Sequence, residues 1–595
     1  MPQNRVAYLL LALLLCLSVT GCGEEDAPVD EDGDGVPAAE DCDDTDAAST
    51  TVAEDADCDG TLTVADCDDT DAASTVVTED ADCDGTPTDE DCDDGDAALG
   101  ASADDADCDG TLTDADCDDG DAASTVVADD DDCDGYTGQT DCGPSDPSIY
   151  PGAPEVLDDT IDQDCDGGDD ITCVGDYEIT ADSASEMSAL EYCAVITGEL
   201  EIYENSTLTN IDGLANLTIV GGDLAIDTNA ALTNVDGLAS LTTVGGGLYM
   251  SSNDALTNVD GLSSLTTVGN GLGIYNNAAL TNIDGLASLT TVGGNLYIYN
   301  NAALTNVDGL SSLTSVGGNL NISSNALLTN LDGLSSLTSV GGNLYISFND
   351  ALTNLDGLSS LTTVGGFLWI EDNAALTNLD GLASLTSVGA SVDISSNAAL
   401  MNLDGLASLT TTGGYLRIHN NAVLTDVDGV ASLTTVGGDL RIYSNAALTN
   451  VDGLASLNIV GGALYIAGNA ALTNVDGLTS LTSVGSYLWI EGNDSLTSVD
   501  GLANLTTVGG DLWIEDNTAL TQVDGLSSLT SVGGALWIED NAALTNLDGL
   551  SSLTTVDTIN IRFNDALCEA DVLALVAGWT VYGSQTISNN TGACP

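Results

Sequence analysis

One 24-residue unit recurs without insertion from Leu208 to Leu567, and no other feature restricts this chain more. The copy at Leu232 reads LTNVDGLASLTTVGGGLYMSSNDA, and its first leucine returns at Leu256, Leu280, Leu304 and onward to Leu544. Fifteen copies stand in register, the last one residue short. A fixed period of roughly 20–29 residues dictates a solenoid, because one such unit cannot bury its apolar face alone and must stack on the next.

Numbered from that leucine, positions 1, 4, 7, 10, 13, 17 and 19 are apolar, which supplies seven inward residues per coil. Leu-x-Ile at 17–19 has the period-2 alternation of a short strand, so residues 18 and 20 are expected to face outward. Asp-Gly at 5 and 6, from Asp212-Gly213 to Asp548-Gly549, predicts a tight turn, and Gly-Gly at 14–15 a second corner. Asn at 22, Asn229 to Asn541 with Asn205 one coil earlier, predicts a stacked column whose amides bond the backbone of adjacent coils.

Charge narrows the partners. The chain carries 97 acidic residues against four basic ones and one histidine, a formal net charge of −93. That excludes nucleic acid and anionic membrane surfaces as electrostatic partners and favours cations. One basic residue, Arg5, precedes the apolar run Val6 to Leu17, which is followed by Val19-Thr20-Gly21-Cys22. This predicts a secretory signal segment over 1–21 and an acidic tether over 22–29. Sixteen cysteines are present; setting aside Cys16 and Cys22 leaves fourteen, an even number expected to form disulfides in an exported chain. They are Cys42, Cys58, Cys67, Cys83, Cys92, Cys108, Cys117, Cys133, Cys142, Cys165, Cys173, Cys193, Cys568 and Cys594.

A second, 25-residue repeat fills the region 30–170. Asp30, Asp32, Asp34 and Asp41 fit D-x-D-x-D-G-x5-D, and the pattern returns as Asp55/Asp57/Asp59/Asp66 and Asp80/Asp82/Asp84/Asp91. It continues as Asp105/Asp107/Asp109/Asp116 and Asp130/Asp132/Asp134/Asp141, and the last unit adds Asp162, Asp164 and Asp166. Carboxylates at 1, 3, 5 and 12 with Gly at 6 have the spacing of an EF-hand calcium loop. Asp stands at 12 where that loop has Glu, and its shorter arm is poorly suited to chelation by both oxygens. Few large apolar residues are available here, so calcium and disulfides are expected to replace a core. Histidine is absent from this region and paired cystines offer no thiolate, which disfavours soft metals.

Several of these motifs resemble known families. Leu-x-Ile-x-x-Asn is similar to the leucine-rich repeat signature, and Cys173 to Cys193 followed by Ile196-Thr-Gly-Glu-Leu-Glu-Ile resembles the start of a receptor L domain. The resemblance covers about 171–595. It implies a mainly β fold: a long right-handed parallel β-solenoid of 24-residue coils with disulfide-bounded caps, following a disulfide- and calcium-dependent loop-rich region. The run of coils is longer and more uniform than in those domains, so only the fold carries over. Glu569 to Trp579 reads as a short amphipathic helix within a C-terminal cap, 568–595. Val19 to Cys22 resembles a bacterial lipobox, implying lipidation of Cys22; Gly23 then implies the outer membrane or cell surface. The Asp/Cys repeats resemble metal-binding modules of bacterial surface proteins and thrombospondin type 3 repeats. That resemblance implies the pairs Cys42–Cys58, Cys67–Cys83, Cys92–Cys108, Cys117–Cys133 and Cys142–Cys165.

Position 18 carries Tyr249, Tyr297, Tyr345, Trp369, Arg417, Arg441, Tyr465, Trp489, Trp513 and Trp537. Position 20 adds Tyr275, Tyr299, Glu371, His419, Tyr443, Glu491, Glu515 and Glu539, with Arg562 in the last coil. Two readings stand. In one, this strip binds a protein or glycan through Trp369, Arg417, His419, Arg441, Trp489, Trp513 and Trp537. In the other, aromatics stack as a strand ladder, arginines neutralise nearby acids, and the protein is a structural spacer. No nucleophile–base pair stands out, so the chain is not expected to be an enzyme.

Overall fold

The computed structural model describes residues 33–594, apart from 35, 38, 44, 45, 47, 50, 69, 75, 85, 94–96, 98–104, 110, 119 and 181–183. The expected signal segment, the tether, the lipidation site Cys22 and the first loop's Asp30 and Asp32 lie outside the described residues. The chain divides into two units: Met1–Glu155 with Asp162–Gly167, and Val156–Ile161 with Gly168–Pro595.

In the second unit each copy of the longer-running repeat makes one coil. The copy at Leu232 forms a 3-10 turn at Asp236–Leu238, a two-residue strand at Thr243–Val244 and a four-residue strand at Leu248–Ser251. Coils stack one full repeat apart: Leu248 pairs with Leu272, Leu272 with Leu296, and Val244 with Val268. The pairings are parallel and build two ladders of 18 strands each. The one-residue deletion in the last copy is absorbed there, where Leu536 pairs with Ile559. The inward set is as the periodicity requires: Leu232, Val235, Leu238, Leu241, Val244, Leu248 and Met250 are all 0% exposed.

Hydrogen-bond columns hold the coils together where the strands end. Asn397 is 0% exposed. Its Nδ2 donates to the Ile370 carbonyl of the preceding coil (2.9 Å), and its Oδ1 accepts from the Asn373 backbone N–H (3.1 Å). The arrangement repeats from Asn205 through Asn541 and continues beyond the regular repeats through Asn564 to Asn590. Threonines at 2 and 11 add two outer columns, as when Thr233 and Thr242 donate to the carbonyls of Thr209 and Thr218 (3.0 and 3.1 Å).

Two backbone details could not be read from residue type alone. The glycine of Asp-Gly does not serve a left-handed turn. It lies in the 3-10 turn with its φ outside that region, and a Cβ at Gly405 would collide with the Leu379 carbonyl of the coil before it. Close approach between coils is what requires glycine here. The left-handed residue is instead position 21, just before the asparagine column. Ser252, Asn276, Asn300, Asp372 and Asn420 adopt it, and so does Phe348 at φ 55°. An L-residue there costs roughly 1–2 kcal/mol unless it is Gly, Asn or Asp. Phe348 is also exposed, so Phe348→Asn is expected to stabilise the protein by about 0.5–1 kcal/mol, measured by chemical denaturation.

Both ends of the solenoid are closed. Cys173–Cys193 staples the first strands, and Cys568–Cys594 the last. Between the latter pair the helix spans Glu569–Val576, shorter than the sequence suggests, and Val572 and Val576 cover the final coil. Covering the end conceals apolar surface and strand edges.

The first unit is built differently. Each disulfide ties the residue that follows one acidic loop to the next loop along the chain: Cys42–Cys58, Cys67–Cys83, Cys92–Cys108, Cys117–Cys133 and Cys142–Cys165. Single antiparallel bridges join Asp41 to Thr51, Asp66 to Val76 and Asp116 to Val126. Its buried described residues are chiefly acids, Asp41, Asp55, Asp80, Asp105, Asp116, Asp130 and Asp141, with Ala153 the one buried apolar side chain among them. No helix among the described residues is long and apolar enough to cross a membrane.

Candidate functional site

The acidic loops share one geometry, seen completely in the copy at Asp55. The Asp55 carboxylate turns back on its own loop, accepting from the N–H of Cys58 (2.8 Å) through Oδ1 and from that of Gly60 (2.9 Å) through Oδ2. The chain can make this bend because Cys58 is left-handed, φ 65°, as are Cys83, Cys108, Cys133 and Cys165, each tied by its disulfide. The result is convergence. Oxygens of Asp55, Asp57 and Asp59 lie within 4.8 Å of one another, and so do those of Asp80/Asp82/Asp84, Asp105/Asp107/Asp109 and Asp130/Asp132/Asp134.

The twelfth residue is close enough for its charge to act on the same loop. Burial, together with the carboxylates of Asp59, Asp66 and Asp55, holds the Asp57 carboxyl above its usual range. Asp82, Asp107 and Asp132 are raised in the same way, with Asp91, Asp116 and Asp141 among the causes. The position-12 side chain divides its two oxygens. In Asp66, Oδ1 accepts from the Asp68 N–H (3.1 Å) and the Ser74 hydroxyl, while Oδ2 is buried without a hydrogen-bond partner. Asp41 and Asp116 repeat this, and Asp57, Asp82, Asp91 and Asp107 likewise keep one buried oxygen unpartnered. In Asp41, Asp66 and Asp116, position 12 thus commits one carboxylate oxygen to hydrogen bonds within its own repeat and leaves the other without a hydrogen-bond partner. In the first loop only Asp34 and Asp41 are among the described residues.

The last repeat adds a residue that the spacing does not reveal. Asp162 accepts from Gly167 (3.0 Å) and Asp164 from Asp166 (3.1 Å), as in the other loops, and Glu155 Oε1 accepts from the Asp164 N–H (2.6 Å). Glu155 is also among the charges that, after burial, raise the Asp164 carboxyl. It joins the loop from outside the motif, and only its charge and the nearby Tyr-Pro-Gly-Ala-Pro turn could have marked it. Cys142 and Cys165 lie beside Asp141, but their sulfurs are bonded to each other. The donor set is oxygen throughout, which suits a hard cation.

On the solenoid, position 16 shares the face of 18 and 20, as strand alternation extended by one step would have shown. Tyr487 at position 16 stands against Trp489 and Trp513, with centroids 6.4 and 6.1 Å apart. The arginines and the histidine of the strip are largely engaged by neighbours. Arg417 lies 4.0 Å over the Tyr415 ring and 3.8 Å from Asp393, which is 4% exposed. His419 reaches the same carboxylate at 3.2 Å and stacks on Tyr443 at 4.4 Å. Arg441 donates to Asp439 (2.7 Å), and Arg562 lies 2.9 Å from Glu539. Trp369 donates its indole N–H to Glu371 (2.6 Å).

Trp489, Trp513 and Trp537 differ from Trp369. With Glu515, Glu539 and Arg562 they line a cleft of about 210 Å³. Burial raises the Glu515 carboxyl, reinforced by Glu539, Glu491, Asp516 and Asp540. A raised value means that the folded chain holds this proton more tightly than the unfolded chain. Its contribution to stability therefore falls as pH rises through that range.

Comparison with known proteins bears mainly on the first unit. Residues 141–170 match the family Cu-binding_MopE, described as a "Putative metal-binding motif". No curated protein matches. Among solved structures, the crystal structure of a TLR13–ssRNA13 complex matches at 16% identity over 70% of this chain and 81% of that one. Its TM-score is 0.18, too low to carry an argument. The acidic region thus contains a segment similar to that family's motif, and its oxygen-lined loops recur in repeats beyond the matched segment.

Proposed function

We propose that this chain is a lipid-anchored surface protein whose acidic repeats bind calcium and carry a solenoid that recognises a protein or glycan ligand along its strand face. Binding rather than catalysis is its work. The observation that carries the calcium half is the burial of carboxylates where a small domain would place apolar residues, with unpartnered oxygens at loop positions 3 and 12. Buried anions are tolerated only when a counter-charge reaches them. All-oxygen donors in a flexible loop favour calcium over copper, whose usual thiolate and imidazole ligands are missing from these loops.

The test is calorimetric titration of the full-length oxidised protein with calcium and, separately, with copper(II), followed by circular dichroism. Saturable calcium sites, one per loop, with a gain of order and no saturable copper binding are the expected result. Protons compete for the same carboxylates, so calcium affinity should fall from neutral to mildly acidic pH. Weak, featureless calcium binding, or tighter copper binding, would overturn the assignment. The competing reading, a spacer without a ligand, is supported by the engaged arginines. It predicts that replacing the strip's tryptophans lowers only the melting temperature.

A further inference from the structure

We infer that the cleft lined by Trp489, Trp513 and Trp537 is a binding site for a small organic ammonium ion, above all a quaternary ammonium group. The inference rests on reading the strand face as a recognition surface, and it names the ligand chemistry.

Register places Trp489, Trp513 and Trp537 on adjoining strands, so their rings could stack as one continuous ladder. They do not. Trp489 and Trp513 touch at 4.2 Å with their planes 77° apart, while no ring contact among the described residues joins Trp513 to Trp537. The cleft of about 210 Å³ is lined by both of these residues. Sugar recognition favours a flat platform of parallel rings, whereas Trp489 and Trp513, which both line this cleft, stand nearly perpendicular. A cation is attracted to each indole face it meets, so a corner of perpendicular rings suits a roughly spherical ammonium group.

Charge points the same way. Glu515 and Glu539 face a single arginine, Arg562, which lies 2.9 Å from Glu539. One negative charge is left in the cleft, on a chain of net charge −93, so anionic ligands are repelled. The Trp369 coil supplies an internal contrast, because its indole N–H is bonded to Glu371 within the strand. Among the described residues the equivalent bond is not made by Trp489, Trp513 or Trp537, so their glutamates are not committed to their own tryptophans. The cleft is also smaller than the roughly 300 Å³ at which sites for drug-sized ligands begin, which suits one compact group.

The experiment titrates the full-length protein with tetramethylammonium and with choline, read by tryptophan fluorescence and calorimetry. The neutral isostere of choline, with carbon in place of nitrogen, and glucose are run in parallel. Saturable ammonium binding is expected, at least about tenfold tighter than the isostere. Trp513→Ala and Glu515→Gln should each weaken it by about tenfold, Glu515→Gln without lowering the melting temperature, and Trp369→Ala should leave it intact. Equal binding of the isostere, saturable glucose binding without ammonium binding, or no ammonium binding would each overturn the inference. If glucose binds instead, strand-face recognition stands and only the cation assignment falls. If the triple variant of Trp489, Trp513 and Trp537 to Ala changes nothing but the melting temperature, recognition falls with it.

Discussion

Gly405→Ala is expected to destabilise the solenoid by about 3 kcal/mol or more, whereas Gly492→Ala should cost only about 1 kcal/mol. At Gly405 an added methyl would strike the Leu379 carbonyl and lie 2.8 Å from the Asp380 nitrogen, both backbone atoms of the preceding coil. Nothing there can rotate aside, so two coils must part and strain the ladders on either side. At Gly492 the nearest atom to an added methyl is the Gly468 nitrogen at 3.8 Å, and only the left-handed φ of 60° penalises alanine. Asparagine, which tolerates that conformation, should be nearly neutral at 492. Because each coil contacts only its neighbours, the damage at Gly405 should be local. Amide hydrogen exchange is the suitable measurement, with protection lost in the coils on either side of the substitution and retained near both caps. Equal costs at the two glycines would refute the close-approach account.

The second large effect is expected at Asn397. Replacement by leucine keeps the approximate shape and removes the amide, leaving the Asn373 N–H without its partner and taking one donor from the Ile370 carbonyl. The orphaned N–H costs about 1–3 kcal/mol and the lost bond to Ile370 about 1 kcal/mol, so the loss should total roughly 2–4 kcal/mol. Asn234 provides the comparison. Its Oδ1 caps the Asp236 N–H at 3.1 Å from a partly exposed site, where water can replace it. Asn234→Ala should cost about 1 kcal/mol. Chemical denaturation of both variants, combined with exchange of the amides at 370–373, tests this directly. A cost at Asn397 no greater than at Asn234 would show that the column is not a structural support.

Much of the fold was legible because a solenoid translates sequence period into spatial stacking. The core leucines, the outward strand positions and the asparagine column each recur once per copy, and equivalent residues of successive copies become neighbours in space. The acidic loops were legible for a related reason, since the ligands of each lie within a single short motif and local backbone geometry suffices to gather them. Resemblance, not spacing, supplied the cystine pairs, which the structure contains.

What escaped the sequence depends on distances between coils and on side-chain rotamers. Glycine at position 6 does lie in a tight turn, as expected, but the constraint that requires glycine there, the carbonyl of position 4, belongs to the preceding copy of the unit. Phe348, Glu155 and Tyr487 were overlooked because a left-handed φ, a loop approached from outside its motif and a third column on the strand face all depend on the folded path. Arg417, His419, Arg441 and the tryptophans formed one undivided strip in the sequence. Only packing separated the side chains held by Asp393 and Asp439 from the cleft at Trp489, Trp513 and Trp537. By itself the sequence determined the repeat, its buried face and the acidic loops, because periodic burial and short loops are local properties. Tertiary structure decided which exposed groups are engaged and which are left open, because that depends on how adjacent coils share space.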